Sequence, residues 1–408
     1  MRRRRPEEPL RRGGYRLRPA AAALLALALP ARAEPLRVGN AVLEPLALSA
    51  LPGFASDDLA AALDTFRLSC AATPPPPPQP DSVTGAPADL AAACAAAERT
   101  ERGEARAFFE TRFSAYRVVR PAQGAEPEKR TGLLTAYFEP ELTGSLTPGP
   151  DYTAALLARP DDLVSFAPGE TRPGLDPSLR AARRVGEGFE PYPDRAAIED
   201  GAMGERARPV LYLRDAVDLL VLQIQGSGRV RLPDGTSVRA LYDGKNGQRF
   251  SGIGGLIVQG GYLPLEGLTL ERWTGWLRAH PEEGRRLMRR NASYVFFRLE
   301  AVTDAALGPP GAAGAALTPG RSLAVDGGLW RYGLPFWLEG RLPGGETRDT
   351  TPGRLVIAQD TGSAITGPAR GDYYVGTGAK AGATAGNVRA PVGFVVLLPK
   401  PASAASAP

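Results

Sequence analysis

The sequence predicts a mainly β protein with a helical N-terminal part and a small closed β-barrel toward its C-terminus. Three observations carry this. Glycine (48) and proline (40) together approach a quarter of the 408 residues, which favours many short strands over long helices. From Pro319 onward, short apolar segments recur between Gly and Pro, the density expected of a small barrel. Before residue 118, by contrast, apolar residues recur three and four apart. The charged fraction of 23% and hydrophobic fraction of 43% fit a globular chain.

The first 33 residues read as an export signal. Arg2 to Arg5, Arg11, Arg12, Arg16 and Arg18 form a basic region, Ala20 to Leu29 an apolar run, and Ala31-Arg32-Ala33 a small-x-small cleavage site. The apolar run is about half the roughly 20 residues a membrane span needs. This segment carries nine Arg and two Glu, net +7; with +5 for the whole chain, the remainder is −2. The basicity therefore belongs to the signal, and no nucleic-acid partner is expected. The expected location is the periplasm after cleavage. No cysteine ends the apolar run to take a lipid anchor, which leaves outer-membrane association without its usual attachment.

Residues 34–52 read as a loose leader and 56–118 as helical. Asp57 is placed to cap a helix carrying Leu59, Leu63 and Phe66, and residues 89–98 and Ala105 to Tyr116 continue that character. Cys70 and Cys94 flank the stretch Pro74–Pro78. In an oxidising compartment they are expected to pair and close a loop, a contribution of roughly 3 kcal/mol. Leu133 to Phe138 reads as a strand, ended by Pro140. Residues 145–210 are mixed, with a short helix at Arg195 to Asp200. Asp215 to Gln225 is apolar throughout, and its period does not separate strand from helix. Gly226-Ser227-Gly228 turns into a hairpin about Asp234-Gly235. Residues 268–290 read as a helix lined by Leu270, Trp273, Leu277 and Leu287 and interrupted at Pro281. Tyr294–Leu299, Ser322–Val325, Phe336–Leu338, Arg354–Gln359, Ala364–Ile365, Asp372–Val375 and Gly393–Leu398 read as strands. Residues 401–408 read as a disordered tail. There are no repeats and no second apolar run long enough to span a membrane.

Exclusion narrows the chemistry. The single histidine, His280, lies between Arg278 and Glu282 on what reads as a solvated helix face, so a Ser-His-Asp or Cys-His mechanism lacks its base. One His and two remote Cys make no zinc site. Gly376-Thr377-Gly378 with Gly382 has the wrong spacing for a dinucleotide, and Gly244-Lys245-Asn246-Gly247 lacks the P-loop spacing. No cofactor, metal or nucleotide is expected. Carboxylates remain, and with them glycoside chemistry. Asp326, Asp360 and Asp372 each stand beside glycines at strand ends; singly each reads as a turn residue, but three lie within fifty residues.

Six blocks in order resemble one family. They are Leu134 to Leu142, Tyr192-Pro193-Asp194-Arg195 with Ile198-Glu199, Gln223-Ile224-Gln225-Gly226-Ser227-Gly228, Tyr242 to Gly247, Asn291 to Phe297, and Ala358 to Ile365 running into Gly371 to Gly378. The chain resembles the membrane-bound lytic murein transglycosylase A family, whose C-terminal 3D domain is named for three aspartates. The resemblance covers roughly residues 130–400. It implies a double-psi β-barrel domain plus a smaller inserted β-domain, with the glycan in the groove between them. The implied boundaries are 34–142 for the helical part and first barrel strands, 143–290 for the insert and 291–400 for the 3D domain. It implies a peptidoglycan lytic exotransglycosylase, a lyase that cleaves the β-1,4 bond between N-acetylmuramic acid and N-acetylglucosamine and leaves 1,6-anhydromuramoyl ends. Asp372 would be the single acid and then base. Asp360, Thr135, Tyr137, Gln225, Ser227, Gly228 and Tyr373 would line the substrate, with Asp326 in support and Trp330 as a further ring face. The expected partners are peptidoglycan glycan strands and other cell-wall enzymes. Two alternatives stay open: a true hydrolase, which needs a second carboxylate to activate water, and a non-catalytic glycan-binding protein.

Overall fold

The computed structural model describes residues 36–72, 87–167, 170–344 and 347–401. The expected signal segment, the stretch Pro74–Pro78 and all but Pro401 of the expected tail lie outside the described residues.

Six strands pair into a closed ring: Gly132–Glu139, Arg389–Pro399, Pro335–Gly344, Thr347–Asp360, Ser322–Ala324 and Arg370–Thr377, which returns to Gly132–Glu139. Two of the pairings are parallel, Ser322–Ala324 with Thr347–Asp360 and Arg370–Thr377 with Gly132–Glu139. The strand Arg389–Pro399 makes closure possible. Its first residues pair with Gly132–Glu139, and its later ones with Phe113–Val119. Period-2 alternation sorts the side chains. Phe336, Leu338, Val356 and Ala358 join one core, while Trp337, Leu355 and Ile357 join another with Phe113 and with Phe66, Phe108 and Phe109 of the helical part. Each such side chain contributes roughly 1.5–3 kcal/mol by leaving water.

The helical part holds Leu59–Cys70, Pro87–Arg99 and Ala105–Arg112. Three expectations for this region need correction. Residues 36–52 are no loose leader: Arg37–Val38 and Ala41–Leu46 form a hairpin that extends the barrel sheet along Phe113–Val119. Pro45 and the Gly39-Asn40 turn hid a strand whose Ala41 and Leu43 are buried. Residues 113–118, expected as helix, belong to the strand Phe113–Val119. The cap of the first helix is Asp58, whose carboxylate accepts from Ala61 N at 3.0 Å. Asp57 instead turns inward, accepting from Arg321 at 2.7 and 3.0 Å and from Leu355 N at 2.9 Å. Cys70 and Cys94 form a disulfide between two of the helices.

A second sheet has the strand order Val295–Ala301, Ser237–Lys245, Ser227–Arg231, Glu141–Ser145, Pro209–Leu213 and Ala154–Leu157. The Asp234-Gly235 hairpin joins Ser227–Arg231 to Ser237–Lys245. Residues Ala216–Gln225 are helical, with the Asp215 carboxylate accepting from Val217 N and Asp218 N at the cap and Gly226 closing the other end at φ 81°. The helix is buried on nearly all sides, which is why its apolar run had no period. Pro281 splits 268–290 into Leu270–Ala279 and Pro281–Met288. Ala364–Ile365 is a turn rather than a strand, and Gly378–Ala385, which carries Gly378 and Gly382, is a helix. Among the described residues no helix is long and apolar enough to cross a membrane.

Candidate active site

Two parallel strands build the centre of the site. In Gly132–Glu139, Thr135 and Tyr137 share a face; in Arg370–Thr377, Arg370 and Asp372 do. Asp372 and Thr135 are register partners across the pair. The Thr135 hydroxyl donates to Asp372 Oδ1. Arg370 Nη2 donates to Thr135 Oγ1 at 2.8 Å.

The short strand Ser322–Ala324 brings in the second carboxylate. Ala324 is the register partner of Asp372 on one side and of Asp360 on the other. The two aspartates therefore sit two strand spacings apart, a backbone separation of about 10 Å. Asp360 Oδ2 accepts from the Tyr137 hydroxyl at 2.8 Å, and Oδ1 accepts from Ala312 N and Thr361 N, each at 2.9 Å. Tyr137 itself packs on Tyr374, ring centroids 5.3 Å apart.

Burial dominates the electrostatics. It pushes the Asp372 carboxyl up to about 6, with Asp360 adding to the rise while the Thr135 hydrogen bond and the Arg370 charge oppose it. Burial also raises Asp360, against the hydrogen bonds from Tyr137, Ala312 and Thr361. The Tyr137 phenol is driven well above its ordinary value by burial and then by Asp360, so it stays a donor. One carboxyl poised near neutrality beside a second, fully hydrogen-bonded one is an arrangement that can give a proton and take it back.

Gln225 joins this centre from the helix Ala216–Gln225. Its Oε1 accepts from Phe138 N at 3.2 Å, one residue past Tyr137. Ser227 follows, partly exposed, at the start of its strand. Gly228 departs from the expectation: it is buried, and a Cβ there would lie 2.5 Å from Leu222 and 3.2 Å from Pro140, so it serves packing. Tyr373 also departs. It follows Asp372 on the strand and must face the other way. It is fully buried, donates to Gly320 O and accepts from Arg354, each at 2.8 Å. Trp330 is buried as well, with Nε1 donating to Pro368 O at 3.1 Å. Asp326 stands apart from the pair, its carboxylate accepting from Gly328 N at 3.0 Å and Gly367 N at 2.6 Å. It ties the loop after Ser322–Ala324 to the loop before Arg370–Thr377.

Two groups escaped the sequence reading. Arg370 lies just outside the Gly371 to Gly378 block, although its place two residues before Asp372 on a strand is a sign of a shared face. Glu139 stands inside the Leu134 to Leu142 block. It is buried where Gly132–Glu139 leads toward the second sheet, held by Arg239, Arg229 and Thr377. His280 stacks on Trp276 and is exposed, away from the carboxylates. Among the described residues no group of three or more His, Cys, Asp or Glu could hold a metal ion.

Comparison with known proteins finds similar chains. Residues 133–298 match the family described as the MltA specific insert domain, and residues 321–398 match the 3D domain. A membrane-bound lytic murein transglycosylase A of Vibrio cholerae is 32% identical over 203 residues, 48% of this chain and 53% of that protein. The chain thus spans about half the length of the curated relatives it matches. The crystal structure of a membrane-bound lytic murein transglycosylase from Agrobacterium tumefaciens is similar over 88% of this chain and 97% of that one, with 34% identity and a TM-score of 0.75. MltA from Neisseria gonorrhoeae is similar over 90% of this chain and 93% of its own, with 29% identity and a TM-score of 0.68.

Proposed function

The chain belongs to the MltA family of lytic murein transglycosylases, and from that premise we propose that it cleaves peptidoglycan glycan strands between N-acetylmuramic acid and N-acetylglucosamine, with Asp372 as sole acid and base. Protonated Asp372 gives its proton to the bridging oxygen as the bond from that oxygen to the muramic C1 breaks. The muramic C6 hydroxyl then bonds to C1 and yields its proton to the Asp372 carboxylate. The ring so closed is the 1,6-anhydro product, no water is consumed, and the enzyme returns to its starting protonation state.

The observation that carries this reading is the Asp372 carboxyl held near 6 while hydrogen-bonded to Thr135. Asp360 bears on the choice between lyase and hydrolase. It already accepts three hydrogen bonds, and a carboxylate so engaged is a poor base for water. Its role is to hold Tyr137 and to keep Asp372 protonated. The closed six-stranded ring supports a double-psi β-barrel at 34–142 and 291–400, with an insert at 143–290 and the glycan in the groove between them. The relatives are named for lytic action on murein, which supports a site of action on the periplasmic side of the envelope.

Digestion of purified sacculi tests the proposal. Mass spectrometry is expected to find muropeptides lighter by one water than their reducing-end counterparts, and Asp372→Asn is expected to bind glycan without cleaving it. Reducing ends as the primary product, or full activity in that variant, would overturn it.

A further inference from the structure

We propose that Arg370 is a positioning residue that, through the Thr135 hydroxyl, confines the working proton of Asp372 to Oδ2. The inference rests on the reading of Asp372 as the acid. Its ground is the direction of two hydrogen bonds. A guanidinium N–H donates and cannot accept, so the Arg370 Nη2 contact at 2.8 Å must use a lone pair of Thr135 Oγ1. With one Oγ1 lone pair taken by Arg370, the single hydroxyl hydrogen of Thr135 points to Asp372 Oδ1, the arrangement in which Arg370 and Thr135 each donate to an acceptor. Oδ1 is therefore an acceptor in both ionisation states of the carboxyl. In that arrangement the proton that comes and goes sits on Oδ2. Without Arg370, the Thr135 hydroxyl could turn round and accept from Oδ1 instead, drawing the acidic proton toward the strand and away from substrate.

The guanidinium is itself fixed. Its Nη1 donates to the Gly371 carbonyl and reaches the Leu133 carbonyl at 3.5 Å, so its plane is held across the two parallel strands. The same network serves both half-reactions without rearrangement, because Thr135 donates to Oδ1 before and after proton transfer. The other groups bearing on Asp372 are few. Tyr137 comes from the strand of Thr135, Asp360 from Thr347–Asp360, and Arg389, the register partner of Thr135, bears on Arg370. None of these contacts Oδ1. Because Arg370 and Thr135 both favour the charged carboxylate, removing Arg370 should raise the pKa of Asp372 further.

Arg370→Met tests this. Turnover is expected to fall by up to about 100-fold, the scale on which a small misplacement of a catalytic group tells, with KM within about twofold. The limb on which activity declines with rising pH should move to higher pH. In a Thr135→Val background the same substitution should add little, because the link is already cut. Arg370→Gln, which keeps an amide donor without the charge, should retain more turnover than Arg370→Met and still move the limb. It also carries the pH test should Arg370→Met fail to fold. An unmoved limb, or losses from Arg370→Met and Thr135→Val that multiply, overturns the relay. Titration of the Asp372 carboxyl by NMR in the two arginine variants is independent of turnover. An active Asp372→Asn variant would end the assignment of the acid, whereas an unchanged titration in the arginine variants would end the relay alone.

Discussion

Glu139 is fully buried, and its Oε1 accepts from Arg239 Nε at 2.6 Å. The pair links the end of a barrel strand to the second sheet, and it is not alone. Arg229 Nη2 lies 3.2 Å and Thr377 Oγ1 2.8 Å from Oε2. Two guanidiniums thus share one carboxylate out of water, with Leu307 O and Ala305 O taking further N–H groups. Such a cluster gives little net stability over an apolar core, but removing one partner strands the others. Glu139→Ala is therefore expected to lose about 3–5 kcal/mol of unfolding free energy in urea. Adding Arg239→Met should restore part of it. A loss below about 1 kcal/mol for Glu139→Ala would show that water reaches the cluster.

The sequence made the aspartates legible, and the reason is local. Asp360 and Asp372 stand near strand ends, Thr135 and Tyr137 inside one short strand, and hydrogen bonds join them as the pairs Thr135–Asp372 and Tyr137–Asp360. What it could not show was which of their neighbours shared their face. Tyr373 offers an aromatic ring face beside Asp372 in the motif, yet alternation along a strand sends it the other way, while the same alternation puts Arg370 beside Asp372. The strand Ala41–Leu46 was hidden by Pro45, and the helix Ala216–Gln225 by burial on nearly every face. In both cases tertiary packing decided what propensity left open. Asp57 and Asp58 show the limit at single residues: either can cap the helix, and only the buried Arg321 selects Asp58 for the cap by taking Asp57.

The Cys70–Cys94 disulfide closes a loop with a sequence separation of 24. A crosslink of that span restricts the unfolded chain by about 3 kcal/mol in the chain-entropy model. Arg67 Nε also reaches Ala97 O at 2.9 Å, so the two helices keep one tie when the bond is cut. Reduction, or the double change Cys70→Ser and Cys94→Ser, is expected to lower the unfolding free energy by about 3 kcal/mol. Turnover well below the new melting temperature should be unaffected. Identical denaturation curves with and without reductant would contradict this.

The carboxyl of Asp372 also makes the site a source of instability. Its folded-state pKa of about 6 lies above the ordinary aspartate value of 3.8. The folded protein therefore binds a proton more tightly than the unfolded chain does. The sign follows: stability is fully retained below about pH 4, falls as the pH rises toward 6, and stays reduced above it. At roughly 1.4 kcal/mol per unit the cost is about 3 kcal/mol at most, and about 1–3 kcal/mol once partial exposure is allowed for. Asn at this position cannot ionise and can still accept from Thr135. Asp372→Asn is therefore expected to be more stable than the parent protein by about 1–3 kcal/mol at pH 7.5, with the difference vanishing near pH 4. Urea denaturation of both proteins across that range measures it. A variant that is inactive and yet no more stable at neutral pH would mean that the carboxylate is better solvated than its burial implies, and that its readiness to donate a proton has another origin.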